Sequence, residues 1–86
     1  MLLSQTIYMN EKRDKKRLTS FGKHLKYYRE EVACISQDQL AARCDVNKYK
    51  ISLIENGKSD FMFTTLLELA KGLNIQPKQL LDFEIE

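Results

Sequence analysis

The chain contains very few residues that interrupt a helix, with three glycines and one proline among 86 residues. Proline removes a backbone donor and glycine is costly to order, so both concentrate where helices end. Their scarcity leaves little of the chain for loops, and no segment alternates apolar and polar residues as a strand does. The sequence therefore predicts an all-α fold, a compact bundle of about five short helices joined by tight turns.

The composition is that of one globular domain rather than a disordered or membrane-spanning chain. Hydrophobic residues make up 43 % and charged residues 30 % of the sequence, which is ordinary for a globular domain. No apolar run reaches the roughly 18 residues that a membrane span needs. Apolar residues precede the basic ones at the start of the chain, the reverse of a secretory signal. We expect a protein without a membrane partner.

The two cysteines, Cys34 and Cys44, are ten residues apart, and His24 is the single histidine. This spacing matches no common metal-ligand pattern, so we expect no metal site and no cofactor. Two isolated thiols fit a reducing cytoplasm better than a disulfide scaffold. The sequence has no nucleophile–base set and no glycine-rich phosphate loop, so we do not expect an enzyme. We expect Cys44 in the core and His24 on the surface of the first helix.

The net charge of +2 conceals a gradient along the chain. Residues 1–20 carry five basic and two acidic side chains, whereas residues 61–86 carry two basic and four acidic ones. Such asymmetry indicates a polyanionic partner near the start of the chain. We divide the chain into a basic N-terminal arm (1–18), a globular domain (19–83) and an acidic tail (84–86). We expect a loosely ordered arm; a short strand or helix that docks on a neighbour, or an arm that contacts phosphates, remains open.

Capping residues and apolar spacing predict where the first two helices begin. The first helix is expected to start near Thr19 or Ser20, either of which can accept a capping hydrogen bond. Its apolar residues recur at steps of four, three and four and form one face, namely Phe21, Leu25, Tyr28 and Val32. Ser36 and Gln39 have the spacing of a capping box. They predict the start of a second helix of about eight residues.

The third helix follows closely on the second. Asn47 is a suitable cap for it, and Asn56 and Gly57 end it, with Gly57 in the left-handed conformation. Two short helices that meet through about three residues have the spacing of a helix-turn-helix. Pro77 suits the first position of a short fifth helix. A fourth helix is predicted by apolar residues at helical spacing, namely Phe63, Leu66, Leu67, Ala70 and Leu73.

Four segments carry a resemblance to a known family through their order and spacing. They are FGKHLKYYREE in the first helix, SQxxLA at the start of the second, ISxIENGK in the third and TLLELAKGLNIxPKQLL behind them. Together they span about residues 20–82, and in this order the chain resembles the Cro/repressor-type (XRE-like) helix-turn-helix proteins. The resemblance implies the lambda-repressor-like fold. It also implies a sequence-specific transcriptional regulator, of repressor or controller type, that binds double-stranded DNA.

The resemblance implies that the third helix, Asn47–Asn56, enters the major groove. Ser36 and Gln37 match residues at a helix start that meet DNA phosphate. Lys48 and Tyr49 match first-turn residues that contact base edges; a solvated lysine and a ring packed over the turn are the alternatives. The other predicted DNA contacts lie along this helix or just beyond it, namely Asn47, Lys50, Ser52, Leu53, Asn56 and Lys58.

The resemblance assigns Arg29 and Glu55 to a partly buried ion pair with a structural role. The sequence departs from the family pattern around this pair. Arg29 lies eight residues before Gln37, one more than is usual, and the turn between them lacks the usual glycine. Asp45 replaces another usual glycine, and aspartate tolerates the left-handed conformation. We expect the loop at Phe61–Met62 to expose an apolar residue.

A short recognition helix contacts only about four to six base pairs, so we expect a symmetric homodimer on a palindromic site. The dimer surface is expected from the fifth helix, the C-terminal tail, the Phe61–Met62 loop or the N-terminal arm. The alternative is a protein-interaction module, such as an antitoxin-like protein that binds a cognate partner through the same fold. The resemblance also implies a cytoplasmic, nucleoid-associated protein of prokaryotic, phage or mobile-element type.

Overall fold

The computed structural model describes the backbone of residues 2–84 and the side chains of residues 11–84. Between residues 2 and 84 the chain forms helices and no strand, which confirms the predicted all-α fold. The helices are α1 (Leu2–Tyr27), α2 (Gln37–Ala42), α3 (Lys48–Glu55), α4 (Phe63–Leu73) and α5 (Pro77–Leu80). Met1 and residues 85–86 of the predicted acidic tail lie outside the described residues.

Every helix contributes at least one wholly buried aliphatic side chain to the core. These side chains are Leu25, Leu40, Ile51, Ile54, Leu69 and Leu80. Burial of each stabilises the fold by about 1.5–3 kcal/mol relative to an exposed position. At one edge of the core the ring of Phe21 packs against Phe61 and Phe83, with ring centroids 5.0 Å and 5.8 Å apart. Phe61 therefore faces the core, and Met62 is the exposed apolar residue of its loop.

The first helix begins much earlier than Thr19 or Ser20, so this part of the prediction is wrong. α1 extends back to Leu2 and has 26 residues. The segment EKRDKKRL before Thr19 contains no glycine or proline and is rich in straight-chain residues with high helix propensity. Asp14 also forms ion pairs with Arg13 and Arg17 along the helix, at 3.5 Å and 3.8 Å. High helix propensity therefore extends α1 through a segment whose polar composition indicated a loose arm.

α1 is followed directly by a turn of π-helix, Tyr28–Val32, in which the N–H of Ala33 donates to the carbonyl of Tyr28 over 2.8 Å. A π-turn holds one residue more than an α-turn. It therefore accommodates the extra residue in the chain between α1 and α2. It also explains why the prediction that Val32 faces the core is wrong: the wider turn rotates Val32 outward, where it is half exposed. Cys34 then adopts φ of 56° in the turn that lacks a glycine.

The connection between α2 and α3 differs from the prediction. α2 has six residues, fewer than the eight expected, and Arg43–Asn47 join it to α3. Asp45 does not use the left-handed conformation that aspartate tolerates: the non-glycine residues with positive φ in the described chain are Cys34 and Asn74. The N–H of Asp45 instead donates to the carboxylate of Glu68 on α4 over 2.8 Å. This hydrogen bond fixes the connection without a left-handed residue.

The buried face of α4 is rotated relative to the predicted one. Leu69 is wholly buried, whereas Phe63 is 66 % exposed and Leu67 38 % exposed. Apolar residues cover nearly half of this helix's circumference, so periodicity alone leaves its orientation open. Phe63 and Leu67 are one turn apart and share a face. Together with the exposed Met62 just before the helix, they form what we call the α4 apolar patch.

His24 is half-buried rather than a solvated surface residue, so that prediction is wrong. Its Nε2–H donates to the carbonyl of Gln79 in α5 over 2.8 Å, and its ring packs edge-on against Tyr28. This hydrogen bond ties α1 to α5, which no local sequence signal indicates. Cys44 packs against the core as predicted, and burial raises the pKa of its thiol.

Candidate nucleic-acid interface

Side-chain caps define the starts of both helices of the helix-turn-helix. At α2 the Ser36 hydroxyl accepts from the N–H of Gln39 at 3.0 Å, and the Gln39 side chain accepts from the N–H of Ser36 at 2.8 Å. This confirms the predicted capping box. At α3 the side-chain oxygen of Asn47 accepts from the N–H of Lys50 at 2.8 Å. Asn47 therefore has a capping role in addition to its predicted contact with DNA.

A buried ion pair connects the end of α1 to the end of α3. The guanidinium of Arg29 donates from Nε to Oε2 of Glu55 at 2.6 Å and from Nη2 to Oε1 at 2.9 Å. A third hydrogen bond runs from Nη1 to the carbonyl of Ile35 at 2.9 Å. The two side chains are only 7 % and 3 % exposed. The structural pairing that the resemblance implied is therefore present despite the extra residue, because the π-turn restores the position of Arg29.

Gln37 extends this ion pair to α2. Its side-chain Nε2 donates to Oε1 of Glu55 at 3.0 Å, so Glu55 accepts hydrogen bonds from two different elements. Hydrogen bonding to Glu55, which outweighs desolvation, raises the pKa of Arg29 above its ordinary value. The first residue of α2 and the last residue of α3 are thus held together by a charged, fully hydrogen-bonded group. This arrangement fixes α3 relative to α2.

The first turn of α3 presents two of the predicted DNA contacts to solvent. The side chain of Tyr49 is 74 % exposed, which excludes the alternative of a ring packed over the turn. The ammonium of Lys48 lies 3.3 Å from the carboxylate of Asp38 on α2, and both side chains are more than half exposed. An exposed pair of this kind contributes at most about 1 kcal/mol. Lys48 is therefore free to exchange Asp38 for another anion.

The middle of α3 is less accessible. The ammonium of Lys50 donates to the hydroxyl of Ser59 at 2.9 Å, which directs this side chain toward the loop between α3 and α4. Ser52 and Leu53 are half-buried. Five residues between Lys48 and Leu53 are predicted to contact DNA. Of these five, Lys48 and Tyr49 in the first turn are the most exposed.

The end of α3 is closed by two hydrogen bonds of a Schellman motif. The N–H of Lys58 donates to the carbonyl of Leu53 at 2.9 Å, and the N–H of Gly57 donates to Ile54 at 3.1 Å. Gly57 has φ of 70°, as predicted, and only glycine adopts this conformation readily. The side chain of Asn56 donates to the carbonyl of Ser52 at 2.9 Å. Lys58 and Asn56 are exposed at this end.

The surface so formed combines two capped helices, one buried ion pair and an exposed basic and aromatic first turn. Sequence reasoning did not identify Asp38 or Ser59 as partners of the lysines, since neither has a motif of its own.

The described side chains bring no three His, Cys, Asp or Glu residues together as a metal site requires. None of the helices between residues 2 and 84 is long and apolar enough to cross a bilayer.

Comparison with known proteins agrees with this geometry. Residues 24–86 match the family of Cro/C1-type helix-turn-helix DNA-binding domains. The chain belongs to this family. It is a DNA-binding transcription regulator with the helix-turn-helix fold that the sequence motifs predicted.

Two control proteins are similar to the chain in sequence. Control protein C.BamHI of Bacillus amyloliquefaciens is 36 % identical over 63 residues, which cover 73 % of this chain and 78 % of that protein. Control protein C.MunI of a Mycoplasma species is 37 % identical over 60 residues, which cover 70 % of this chain and 81 % of that protein. The likeness therefore spans most of both relatives.

A solved structure also matches. The restriction-modification controller protein C.AhdI from Aeromonas hydrophila superposes with a TM-score of 0.71 at 26 % sequence identity. The superposition covers 97 % of that chain but only 76 % of this one. Residues 1–23 lie outside the matched family region. The matched family region therefore begins within α1.

Proposed function

We propose that this protein controls the transcription of restriction-modification genes by sequence-specific binding of α3 in the major groove. The observation that carries this proposal is the exposed first turn of α3, on a helix that Arg29, Glu55 and Gln37 hold in place. The similarity to the restriction-modification controller protein C.AhdI, together with the similarity to two control proteins, supports the choice of genes. In this proposal the protein acts by binding DNA rather than by catalysis, and it acts in the prokaryotic cytoplasm.

In this proposal Lys48 and Tyr49 contact base edges, because they are the outermost side chains of the first turn. A lysine donates to the O6 and N7 acceptors of guanine, and an aromatic ring packs on a thymine methyl. The other proposed residues contact phosphates or support the first turn, and phosphate contacts set the register of the helix. They are Ser36, Gln37, Asn47, Lys50, Ser52, Asn56 and Lys58, whereas Leu53, one turn further along α3, takes another base-reading position.

Lys48→Ala and Tyr49→Ala should each weaken binding to the preferred duplex by about 1–3 kcal/mol, since each removes a base contact. The free energy of unfolding should change by less than about 1 kcal/mol, because both side chains are exposed. Fluorescence anisotropy with a labelled duplex measures the first quantity, and urea unfolding the second. Lys71→Ala, an exposed lysine of α4, is the matched control and should bind normally. Equal affinity for Lys48→Ala and Lys71→Ala would contradict the assignment of α3.

We also propose that the protein binds as a symmetric dimer through the α4 apolar patch. Met62 and Phe63 are 72 % and 66 % exposed, and an apolar surface of this kind marks an interaction site. A twofold dimer would place two copies of α3 about 34 Å apart, on one face of the duplex. A palindromic site matches this symmetry. Another protein on the patch is the alternative, as in an antitoxin-like module.

Phe63→Asp is expected to convert the dimer to monomer, because it buries a carboxylate at the centre of an apolar interface. Sedimentation velocity over a range of protein concentrations measures the change. Val32→Asp is the control, since Val32 is 51 % exposed on a different element. DNA affinity should fall only in the Phe63 variant. A wild-type protein that stays monomeric at all concentrations and on DNA would exclude the dimer and favour another partner.

A further inference from the structure

The middle of α1 carries a basic groove that the helix-turn-helix does not account for. Its lining includes Lys12, Lys15, Lys16, Thr19 and Lys23, and no acidic side chain from the described part of the chain joins them. All four lysines are exposed. The part before Lys23 lies in the segment outside the matched family region. We call these four lysines the α1 lysine face.

Charge is segregated around this helix. Lys12, Lys16 and Lys23 are separated by four and seven residues, so they lie on one face of an α-helix. The acids Glu11 and Asp14 lie on another side, where they line a hollow with Lys58. The chain therefore concentrates positive charge on one face of α1 although the whole sequence has a net charge of only +2.

The α1 lysine face is continuous with the end of α3. Lys15 lines both the basic groove and the hollow that contains Gly57 and Lys58. Thr19 lies directly against Gly57, where an added Cβ would stand 2.5 Å from the threonine hydroxyl. The groove thus begins beside the loop that follows α3. From there residues 2–17 of the helix continue for about 24 Å.

We propose that the α1 lysine face binds the phosphate backbone of the duplex outside the base pairs that α3 contacts. This inference rests on the proposed function and extends it to a longer DNA site. Lys12 and Lys23 are about 16 Å apart along the helix axis, a distance over which one DNA strand presents about five phosphates. Lysine is a flexible point charge that suits phosphate rather than base recognition. The contact therefore adds affinity and salt dependence but no sequence preference.

The test compares two double variants with matched chemistry. Lys12→Gln/Lys16→Gln removes two charges from the α1 lysine face, and Lys71→Gln/Lys78→Gln removes two exposed lysines elsewhere. Glutamine keeps the helix propensity of lysine, and circular dichroism checks that both variants fold. Affinity for the duplex preferred by the wild-type protein is measured from about 50 to 300 mM salt. The same duplex shortened to the base pairs of the core site provides a second probe.

The first double variant should lower the slope of log K against log salt by about two for each protomer. Its affinity at low salt should fall by about tenfold or more, while the preferred sequence stays the same. Only proteins with the intact lysine face should bind the longer duplex more tightly than the shortened one. A slope and affinity equal to those of the Lys71/Lys78 variant would overturn the proposal.

Three further outcomes distinguish the proposals. If Lys48→Ala abolishes sequence preference while the Lys12/Lys16 variant binds like wild type, the proposed function stands and this inference fails. If no duplex binds the wild-type protein with sequence preference, the proposed function itself fails. A change in sedimentation of the Lys12/Lys16 variant, with DNA binding intact, would assign the groove to an acidic segment of a second copy and overturn the contact with DNA.

Discussion

Glu55→Ala is expected to lower the free energy of unfolding by about 3–5 kcal/mol, because it leaves the buried Arg29 guanidinium with only the half-exposed carboxylate of Glu30, 3.4 Å away. The loss is large for a domain of this size, whose total stability is of the order of 5–10 kcal/mol. The Arg29 side chain is only 7 % exposed, so water cannot replace the lost hydrogen bonds without opening the end of α1. Urea unfolding followed by circular dichroism measures the change.

The charge, rather than the packing volume, should account for this loss. In an Arg29→Met background the same Glu55→Ala substitution should cost much less, because no buried charge is then left unpaired. Gln37→Ala removes only a neutral donor to Glu55, so its cost should stay near 1 kcal/mol. If Glu55→Ala costs the same with and without Arg29, the two side chains are not coupled and the ion pair does not hold α3.

Gly22→Ala should destabilise the protein by about 1–3 kcal/mol or more through overpacking. At an unconstrained helical position the same change would stabilise a helix by about 1 kcal/mol, so the expected sign is reversed. An added Cβ would overlap the carbonyl oxygen of Ile54 and stand 2.5 Å from that of Glu55. Both atoms are backbone at the end of α3 and have little freedom to move. The glycine therefore permits the close contact between α1 and the recognition helix.

Gly72→Ala in α4 is the matched control for this substitution. There an added Cβ would stand 2.8 Å from the Cδ1 of Leu40, the end of a flexible side chain, and 3.1 Å from the Cβ of Cys44, with no backbone atom as close. We expect a change in the free energy of unfolding of no more than about 1 kcal/mol, since rotation of Leu40 relieves the contact and the gain in helix propensity offsets it. Thermal or urea unfolding of both variants gives the comparison. A Gly22→Ala protein as stable as wild type would mean that α1 and α3 are not closely packed.

Local chemistry made several features of the fold and of the candidate interface predictable. Ser36 and Asn47 cap their helices through hydrogen bonds within three residues, so the sequence contains the whole interaction. Gly57 is left-handed because a Schellman motif requires it. The Arg29–Glu55 pair is 26 residues apart and was accessible only through the resemblance to a family, since no local rule connects the two side chains.

Features that depend on tertiary packing were not predictable in the same way. The π-turn at Tyr28–Val32 allows Arg29 to be buried against Glu55 while α2 begins at Gln37, and no propensity scale encodes that combination. The bond from His24 to Gln79 joins residues 55 positions apart. For α4, apolar residues such as Phe63 lie on more than one side, and only the neighbouring helices decide which are buried. The polar start of α1 is helical because helix propensity prevails over the charge that indicated a loose arm.

Selection of bound sequences from a pool of random duplexes tests most directly whether α3 recognises DNA sequence. The wild-type protein is expected to enrich an inverted repeat whose half-site centres lie about 34 Å apart, or about ten base pairs. Lys48→Ala and Tyr49→Ala should each relax the preference at specific positions within the half-site, whereas Lys71→Ala should enrich the wild-type sequence. A pool without any enriched sequence, or an unchanged preference in both α3 variants, would contradict recognition by this helix.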